Sequence, residues 1–253
     1  MLVRPPHSGV VAPSTPGGRP AIWAATGRSG GFSEGPFASM NLALHVGDHA
    51  EAVRANREAL CVRVEATGLA VLSAVHGADV AVVDQPGEAV GVDAVITRTP
   101  GLGVVALGAD CVTAAVIGDD DLTVAAVHCG WQGLVLGVLP AAIARMADMG
   151  VAPVQIILGP SICGSCYPVP LDRVDRVRSS CSDQVARSSL VECPDGQPGI
   201  DVREGLRAQL IECGVSADLV LSVGGCTFED PELFSYRRDG RTGRHGMVVV
   251  RSE

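Results

Sequence analysis

The sequence predicts a layered sandwich of the α/β or α+β class with mixed β-sheets. Short apolar runs of strand length recur along the chain and alternate irregularly with segments of helical periodicity. Several predicted strands follow one another without a helix between them, which disfavours a strictly alternating βαβ fold. With 253 residues, 47% of them hydrophobic, the chain is long and apolar enough to bury a large core.

The individual elements follow from apolar runs, caps and breakers. The apolar runs predict strands at 21–26, 69–75, 79–83, 93–97, 103–109, 122–127, 153–158, 219–223 and 247–250. Helices are predicted at 48–66 with Asp48 as the cap, at 133–149 with an interruption at Pro140, and at 172–185. Asp201 and Glu204 form a capping box that opens a last helix, which ends near Gly214.

Composition predicts one domain and excludes several classes of partner. Residues 1–19 hold four prolines and predict a flexible lead-in, so that residues 20–253 form the single domain. No segment has the features of a signal peptide or of a membrane span. The net charge of −9 disfavours nucleic acid or an anionic membrane as a partner. The odd count of nine cysteines is typical of reduced thiols in a cytoplasmic protein.

Three metal-capable residues lie where predicted apolar strands end. His76, Cys111 and His128 each come at, or just past, the end of such a strand. Two imidazoles and a thiolate suit Zn²⁺, and three protein ligands leave the fourth tetrahedral position open for water or substrate. Their spacings are too wide for a compact zinc finger, so the ligands would come from three separate strands. The alternative is that each is an ordinary polar or core residue.

A second cysteine motif is weaker by sequence criteria. Cys163 and Cys166 form a CxxC after a strand and a Gly-Pro turn. A zinc ribbon needs a second such pair, and the sequence has none. A thioredoxin-like motif needs a helix that starts at the first cysteine, which Gly164 and Pro168 disfavour.

Arginines carry all of the basic charge, and two loops concentrate features suited to anions. All 19 basic residues are arginine, which rules out mechanisms that need a lysine. The loop at 235–245 holds four of them, and arginine forks suit phosphate and carboxylate groups. Arg28 lies in a loop of small residues, 27–31, whose backbone N–H groups can approach an anion. Both loops could equally be solvated turns.

Six blocks in a fixed order resemble one family. They lie at 26–48, 75–77, 108–111, 127–133, 159–169 and 234–246, and include VHG, GADC, VHCGWQG and FSYRRDGRTGRHG. From about residue 20 to the C-terminus the chain resembles the YfiH-type proteins, also called laccase-domain or polyphenol-oxidase-like proteins. The resemblance implies an α/β/β/α fold and zinc held by His76, Cys111 and His128. It also implies phosphorolysis of adenosine, inosine, guanosine and methylthioadenosine, and deamination of adenosine.

The resemblance and the local chemistry together suggest roles for further residues. Cys111, His128 and Asp110 are the candidate catalytic residues, with Asp110 either a general acid/base or a turn cap. Asn41 is a candidate substrate contact, or a turn-stabilising amide. The candidate residues for phosphate and substrate are Arg28, Asn41, Arg237, Arg238 and Arg241. Gln132 departs from the family, which usually has an arginine there, and this departure weakens the expectation of phosphate binding.

Alternative functions remain open at this point. A copper laccase is rejected, because multicopper sites need about ten histidines, many in HxH pairs, and this chain has six and no such pair. A cysteine hydrolase would use Cys111 as nucleophile and His76 or His128 as base, acting on cell-wall precursors as a peptidoglycan editing factor. The third hypothesis is a non-catalytic zinc-containing binding protein. Whether the chain is a monomer or a homodimer is left open.

Overall fold

Two six-stranded sheets pack face to face, with helices on both outer faces, in the computed structural model, which describes residues 7–253. The strands are β1 (His7–Val11), β2 (Ala21–Ala25), β3 (Gly68–Ser73), β4 (Val80–Val82), β5 (Gly87–Val90), β6 (Ala94–Thr97), β7 (Leu102–Gly108), β8 (Val112–Gly118), β9 (Val124–Cys129), β10 (Pro153–Leu158), β11 (Leu190–Glu192), β12 (Pro198–Ile200), β13 (Val220–Ser222) and β14 (His245–Arg251). The α-helices are α1 (Ala50–Val64), α2 (Trp131–Leu136), α3 (Val138–Asp148), α4 (Leu171–Ser180), α5 (Asp183–Ser189), α6 (Val202–Glu212) and α7 (Tyr236–Asp239). The predicted α/β/β/α sandwich with mixed sheets is confirmed.

Both large sheets mix parallel and antiparallel pairs. The first has the order β1-β2-β14-β7-β3-β5, and the second has the order β13-β10-β8-β9-β6-β4. In the first sheet β14 is antiparallel to both β2 and β7, whereas β3 is parallel to β7 and β5. In the second, the central β8–β9 pair is antiparallel and β4 lies parallel to β6 at the edge. Strands β11 and β12 form a separate hairpin.

Small apolar side chains fill three core layers. The layer between the sheets includes Val104, Ile117 and Met247, all fully buried. A second layer lies between the β8–β9 sheet and helices α2, α3, α4, α5 and α6. A third lies between the other sheet and α1, where Leu60 and Val64 are buried. Alanine and valine dominate these layers, and the sheets supply the flat surfaces on which such short side chains pack.

Each of the nine predicted strands overlaps an observed one, but β5, β8, β11 and β12 were not predicted. Strand β8 (Val112–Gly118) is central to its sheet and wholly buried. It follows β7 after only three residues, so the two strands form an almost continuous apolar run in which the turn is hard to see. Part of the segment predicted as a flexible lead-in, 1–19, forms strand β1 (His7–Val11), which pairs antiparallel with β2. Residues 1–6 of that lead-in lie outside the described residues.

Helix boundaries differ from prediction where a local contact decides them. The 133–149 segment breaks at Gly137, whose φ is 75°, and Pro140 lies in the first turn of α3, where its missing N–H is tolerated. Asp48 does not cap α1, because its carboxylate accepts from Asn41 Nδ2 at 2.8 Å and the cap position is His49. The 172–185 segment forms two helices, α4 and α5. Asp201 caps α6 as predicted, accepting from the Glu204 amide at 3.0 Å.

The sheets bring three strand ends to one place. The chain leaves β3, turns between β7 and β8, and leaves β9 beside the same opening, and each of these points carries one of the metal-capable residues. Within residues 7–253, no helix has both the length and the apolar character that crossing a bilayer requires.

Candidate active site and metal centre

The three strand ends bring His76, Cys111 and His128 together. One donor atom from each side chain lies within 4.8 Å of the others. The Cys111 Sγ is 3.8 Å from His76 Nε2. The rings of His76 and His128 meet edge to face, with centroids 4.9 Å apart. The residues singled out in the sequence therefore form one cluster whose donor set could hold a metal ion.

A buried carboxylate that the sequence analysis missed holds two of these residues in place. Asp93 is fully buried and accepts from His128 Nδ1 at 2.9 Å. It also accepts from the backbone N–H groups of Val75, His76 and Gly77, at 3.2, 2.9 and 2.7 Å. Because His128 Nδ1 is engaged, its Nε2 is left to face the cluster. Partners of this kind fix the orientation of metal-binding imidazoles.

The backbone at the cluster is unusual in two ways that bring the donors close. His76 has a φ of 62°, a left-handed conformation that the carboxylate of Asp93 supports through three amides. At Gly130, a Cβ atom would lie 3.0 Å from Cys111 Sγ and 3.1 Å from His76 Cδ2. A larger residue at that position would therefore push the thiol and the ring apart, so Gly130 is required by the approach of two donors.

Charge interactions within the cluster favour a thiolate at Cys111 and a protonated ring at His128. Burial raises the pKa of the Cys111 thiol, but the charges and hydrogen bonds of His128 and His76 outweigh it and lower that pKa to about 6. Burial lowers the pKa of His128, and the Cys111 thiolate and the bond to Asp93 together raise it to about 9. Near neutral pH, the metal-free cluster is thus a thiolate–imidazolium pair. A divalent ion would displace the imidazolium proton and take the thiolate as a ligand.

The cluster lies in a cavity of about 620 Å³, within the usual size range of small-molecule sites. Its lining combines imidazoles, guanidinium groups and aromatic rings. Besides the three cluster residues, the polar and aromatic lining residues are His45, Asp110, Trp131, Gln132, Tyr167, Arg173, Tyr236, Arg237 and Arg244. Three arginines around one cavity make a positive site in an otherwise acidic protein, which suits an anionic ligand.

Asp110 lines the cavity, but its carboxylate is fully engaged. One oxygen accepts from Thr227 Oγ1 at 2.7 Å and from Ser235 Oγ at 2.6 Å. The other oxygen accepts from the backbone N–H of Arg237 at 2.6 Å. This geometry favours a carboxylate that anchors the C-terminal loop beside Cys111 over one that transfers a proton.

Of the four arginines proposed for phosphate, only Arg237 reaches the cavity. Arg28 donates to the Ala38 carbonyl and pairs with Asp239. The Arg238 guanidinium donates to carbonyl groups within 227–233 and forms an ion pair with Asp239. Arg241 donates to the Gly47 carbonyl at 2.9 Å. None of these three lines the cavity, and each donates hydrogen bonds that hold loops together.

Asn41 is also absent from the cavity lining. It is fully buried, its side-chain oxygen accepts from the backbone of Ala43 and Arg244, and its amide donates to Asp48. These contacts favour the turn-stabilising role over the substrate contact. The Asn41 Oδ1 accepts from the Arg244 backbone N–H at 2.9 Å, so Asn41 helps to position a cavity residue without lining the cavity itself.

Two cavity arginines were not among the predicted site residues. Arg244 belongs to the arginine-rich loop at 235–245, so the loop was recognised but not this member of it. Arg173 lies on α4, which looked like a surface helix. Its guanidinium stacks on Trp131 at 5.1 Å and donates to the Tyr167 hydroxyl at 3.3 Å. Nothing in the sequence of α4, beyond its charge, indicates that one of its arginines faces the cavity.

Fold and site together define a class: two-sheet α/β/β/α proteins with a His–Cys–His cluster, able to hold a metal, in a cavity lined by arginines and aromatic rings. Residues 22–252 match the family described as multi-copper polyphenol oxidoreductase laccase. The chain belongs to this family, whose solved members include the YfiH-type proteins that the sequence blocks resemble.

Similar proteins cover nearly the whole chain. A purine nucleoside phosphorylase of Streptomyces coelicolor is 42% identical over 226 residues, which are 87% of this chain and 90% of that protein. One of Corynebacterium glutamicum is 36% identical over 242 residues, 92% and 96% of the two chains. The crystal structure of YlmD from Geobacillus stearothermophilus matches with a TM-score of 0.85 at 31% identity, covering 96% of this chain and 94% of that one. YfiH of Bacillus licheniformis matches at 0.83 and 25%, covering 91% and 92%.

Proposed function

We propose that this chain is a zinc-dependent purine nucleoside phosphorylase that acts on adenosine, inosine, guanosine and methylthioadenosine, and that the same site deaminates adenosine. The observation that carries the proposal is the convergence of His76, Cys111 and His128 in the wall of an arginine-lined cavity. The names of the relatives in Streptomyces coelicolor and Corynebacterium glutamicum support the same activity.

The donor set suits zinc better than it suits the copper centres of a laccase. Two imidazoles and one thiolate are common zinc ligands, and a three-ligand site keeps a position open. A bound zinc ion would supply Lewis-acid polarisation of an oxygen and a lowered pKa for a water molecule. Laccase chemistry requires a set of histidines for several coppers, and the chain has six in all.

The cavity walls suit the two halves of the substrate pair. Trp131, Tyr167 and Tyr236 offer aromatic surface on which a purine can stack. Arg173, Arg237 and Arg244 offer cationic groups to phosphate. Gln132, which stands where the family resemblance implies an arginine, lines the same cavity, and these three arginines would supply the missing charge.

In phosphorolysis, an oxygen of phosphate forms a bond to ribose C1′ while the bond from C1′ to the purine nitrogen breaks. The base leaves with the bonding electrons and takes up a proton, and ribose 1-phosphate remains. The arginines would bind the phosphate and offset its charge as it attacks, which is the electrostatic contribution expected from fixed cations in a cavity. In deamination, water adds to purine C6 and ammonia leaves.

A second candidate function rests on the electrostatics of Cys111. Its thiol, with a pKa lowered to about 6 beside His128, resembles the activated nucleophile of a cysteine hydrolase. In this reading the protein edits cell-wall precursors without a metal. Metal-free protein would then be active and alkylation of Cys111 would abolish that activity, whereas the zinc proposal expects metal-free protein to be inactive.

Cellular location and association are part of the proposal. The nine cysteines, all within the described residues, are free thiols, which supports a reducing compartment such as the cytoplasm. We propose that the partners are a purine nucleoside and phosphate, and that the chain works as a monomer or a homodimer.

Separating the products made from adenosine tests the proposed function. Zinc-loaded protein is incubated with adenosine, with and without phosphate, and the products are resolved by chromatography. Adenine that appears only with phosphate supports phosphorolysis, and inosine that appears without phosphate supports deamination. If no purine nucleoside turns over, both reactions are rejected, and the third reading, a non-catalytic zinc-containing binding protein, gains support.

Replacing Arg244 with alanine should raise the KM for phosphate by roughly 10- to 100-fold, with a smaller change in the KM for nucleoside. A charge-assisted hydrogen bond contributes about 1.5–3 kcal/mol, which gives this factor. The Arg244 backbone stays anchored by Asn41 in the variant. Steady-state kinetics with either substrate varied would measure the effect.

The matched control is Arg187→Ala, which removes an exposed arginine on α5 and should leave both KM values unchanged. Arg28→Ala compares the two locations for the anion site, because the sequence suggested Arg28 for phosphate whereas the structure places Arg28 outside the cavity lining. A larger rise in phosphate KM for Arg28→Ala than for Arg244→Ala would contradict the placement of the anion site.

A further inference from the structure

We propose that the chain holds a second metal ion, separate from the His76 centre, in a four-ligand site formed by Cys163, Cys166, Cys226 and Glu229. One donor atom from each of these side chains lies within 4.8 Å of the others. Three thiols and one carboxylate complete a tetrahedral shell and leave no open position. Such closed sites hold structural zinc.

The four ligands come from two matching turns. Cys163 and Cys166 are three residues apart, and the Cys166 N–H donates to the Cys163 carbonyl at 3.1 Å. Cys226 and Glu229 have the same spacing, and the Glu229 N–H donates to the Cys226 carbonyl at 3.2 Å. Paired tight turns, each giving two ligands at this spacing, are the framework of many structural zinc sites. The partner of the CxxC is therefore a CxxE, which a search for a second cysteine pair overlooks.

Backbone contacts already hold the two turns against each other. Ser161 and Cys226 form a parallel β-bridge, and the Thr227 N–H donates to the Ser161 carbonyl at 3.1 Å. The Cys163 N–H points at Cys226 Sγ at 3.3 Å, a contact that stabilises a sulfur carrying negative charge. The site is thus preorganised by the fold, so a metal ion would find its ligands in place.

The separation of two of the donor atoms already matches that expected around a tetrahedral ion. With Zn–S bonds of about 2.3 Å and Zn–O bonds of about 2.0–2.2 Å, tetrahedral donors lie roughly 3.5–3.8 Å apart. Cys166 Sγ lies 3.5 Å from Glu229 Oε1. A divalent cation would also offset the repulsion that arises among three thiolates and a carboxylate once the thiol protons are lost.

The position of this site indicates what the ion would do. The residue after Cys166 is Tyr167, which lines the cavity, and the Pro168 carbonyl accepts from Arg237 at 3.2 Å. On the other turn, Thr227 donates to Asp110, the neighbour of Cys111. A metal ion joining the turns would therefore clamp two segments of the cavity wall without touching the substrate.

Counting zinc per chain tests the proposal. The protein is purified under reducing conditions, loaded with zinc, freed of excess metal and measured for bound zinc. Two zinc ions per chain are expected in the wild type, one in Cys226→Ser, one in Cys111→Ser and none in Cys111→Ser/Cys226→Ser. Cys213→Ser removes an exposed thiol away from both clusters and should keep both ions. These counts do not depend on turnover, so they stay informative even if the proposed activity is absent.

A spectroscopic test does not rely on the Cys226 variant folding normally. Cys111→Ser protein, in which the first site is disabled, is loaded with cobalt(II). A tetrahedral cobalt spectrum with thiolate charge-transfer absorption is expected, and Glu229→Gln should change the visible bands while keeping the charge-transfer absorption. One zinc per chain in the wild type that is lost in Cys111→Ser and kept in Cys226→Ser would overturn the proposal. So would a Cys163–Cys166 disulfide that persists under reducing conditions.

Discussion

Cys111→Ser is expected to empty the His76 centre and to lower kcat/KM for purine nucleoside phosphorolysis by roughly 10³-fold. The serine hydroxyl is not ionised at neutral pH and is a poor zinc ligand, whereas the Cys111 thiol has its pKa lowered to about 6. A catalytic metal contributes several kcal/mol of transition-state stabilisation, and about 4 kcal/mol corresponds to this factor. Steady-state kinetics and metal analysis on the same preparation measure the two losses together.

Cys181→Ser is the matched control, since Cys181 is a partly exposed free thiol outside both metal-capable clusters. It should keep wild-type kinetics and metal content. Undiminished phosphorolysis in Cys111→Ser protein would show that the thiol is not needed. Activity that survives metal removal but not alkylation of Cys111 would instead favour the cysteine hydrolase.

Asp93→Asn is the second substitution with a large expected effect. Because one buried carboxylate holds His128 and three backbone N–H groups around His76, its loss should weaken zinc binding at this centre by about 10- to 100-fold. It should also lower the free energy of unfolding of metal-free protein by about 3–5 kcal/mol, because an amide cannot accept at all of these donors and the charge of His128 loses its partner. Competition with a zinc chelator and urea unfolding would measure the two effects.

The pH dependence gives an internal check on Asp93. Burial raises the pKa of this carboxyl, but the bonds from His128 and the backbone outweigh it and hold the pKa below its ordinary value. The contribution of ionised Asp93 to the free energy of unfolding is therefore fully present above that ordinary pKa of about 4. It is lost as the pH falls through the lower pKa that Asp93 has in the folded protein. The stability gap between wild type and Asp93→Asn should shrink over that acidic range. Asp183→Asn, on an exposed helix start, should match the wild type, and a gap that is constant with pH would argue against the assigned role.

The three metal-capable residues could be predicted from the sequence, whereas the carboxylate that holds them in place could not. His76, Cys111 and His128 stand out because each follows an apolar run, and polar side chains at strand ends in a sheet protein converge at one edge. Asp93 directly precedes a buried strand, where an acidic residue is usually read as a boundary. Nothing local in the sequence shows that its carboxylate turns back under the loop that carries His76.

Arginine roles illustrate a second limit of sequence reasoning. Arg237 and Arg238 are adjacent in one charged loop, yet one faces the cavity and the other is spent on loop carbonyls. The difference depends on which backbone groups the folded loop leaves unpaired, and this is a tertiary property. The CxxC at Cys163 was likewise judged alone because its partner turn lies more than fifty residues later and ends in a glutamate.

The measurement that tests the central claim most directly is the zinc dependence of phosphate-driven base release. Wild-type protein is stripped of metal, reloaded with zinc and assayed for free purine from adenosine and inosine at each stage, with His76→Ala protein treated in parallel. We expect release that requires phosphate, disappears with the metal, returns with zinc and stays absent in His76→Ala protein. Equal release by metal-free protein or by His76→Ala protein, or none from zinc-loaded wild type, would contradict a zinc-dependent purine nucleoside phosphorylase.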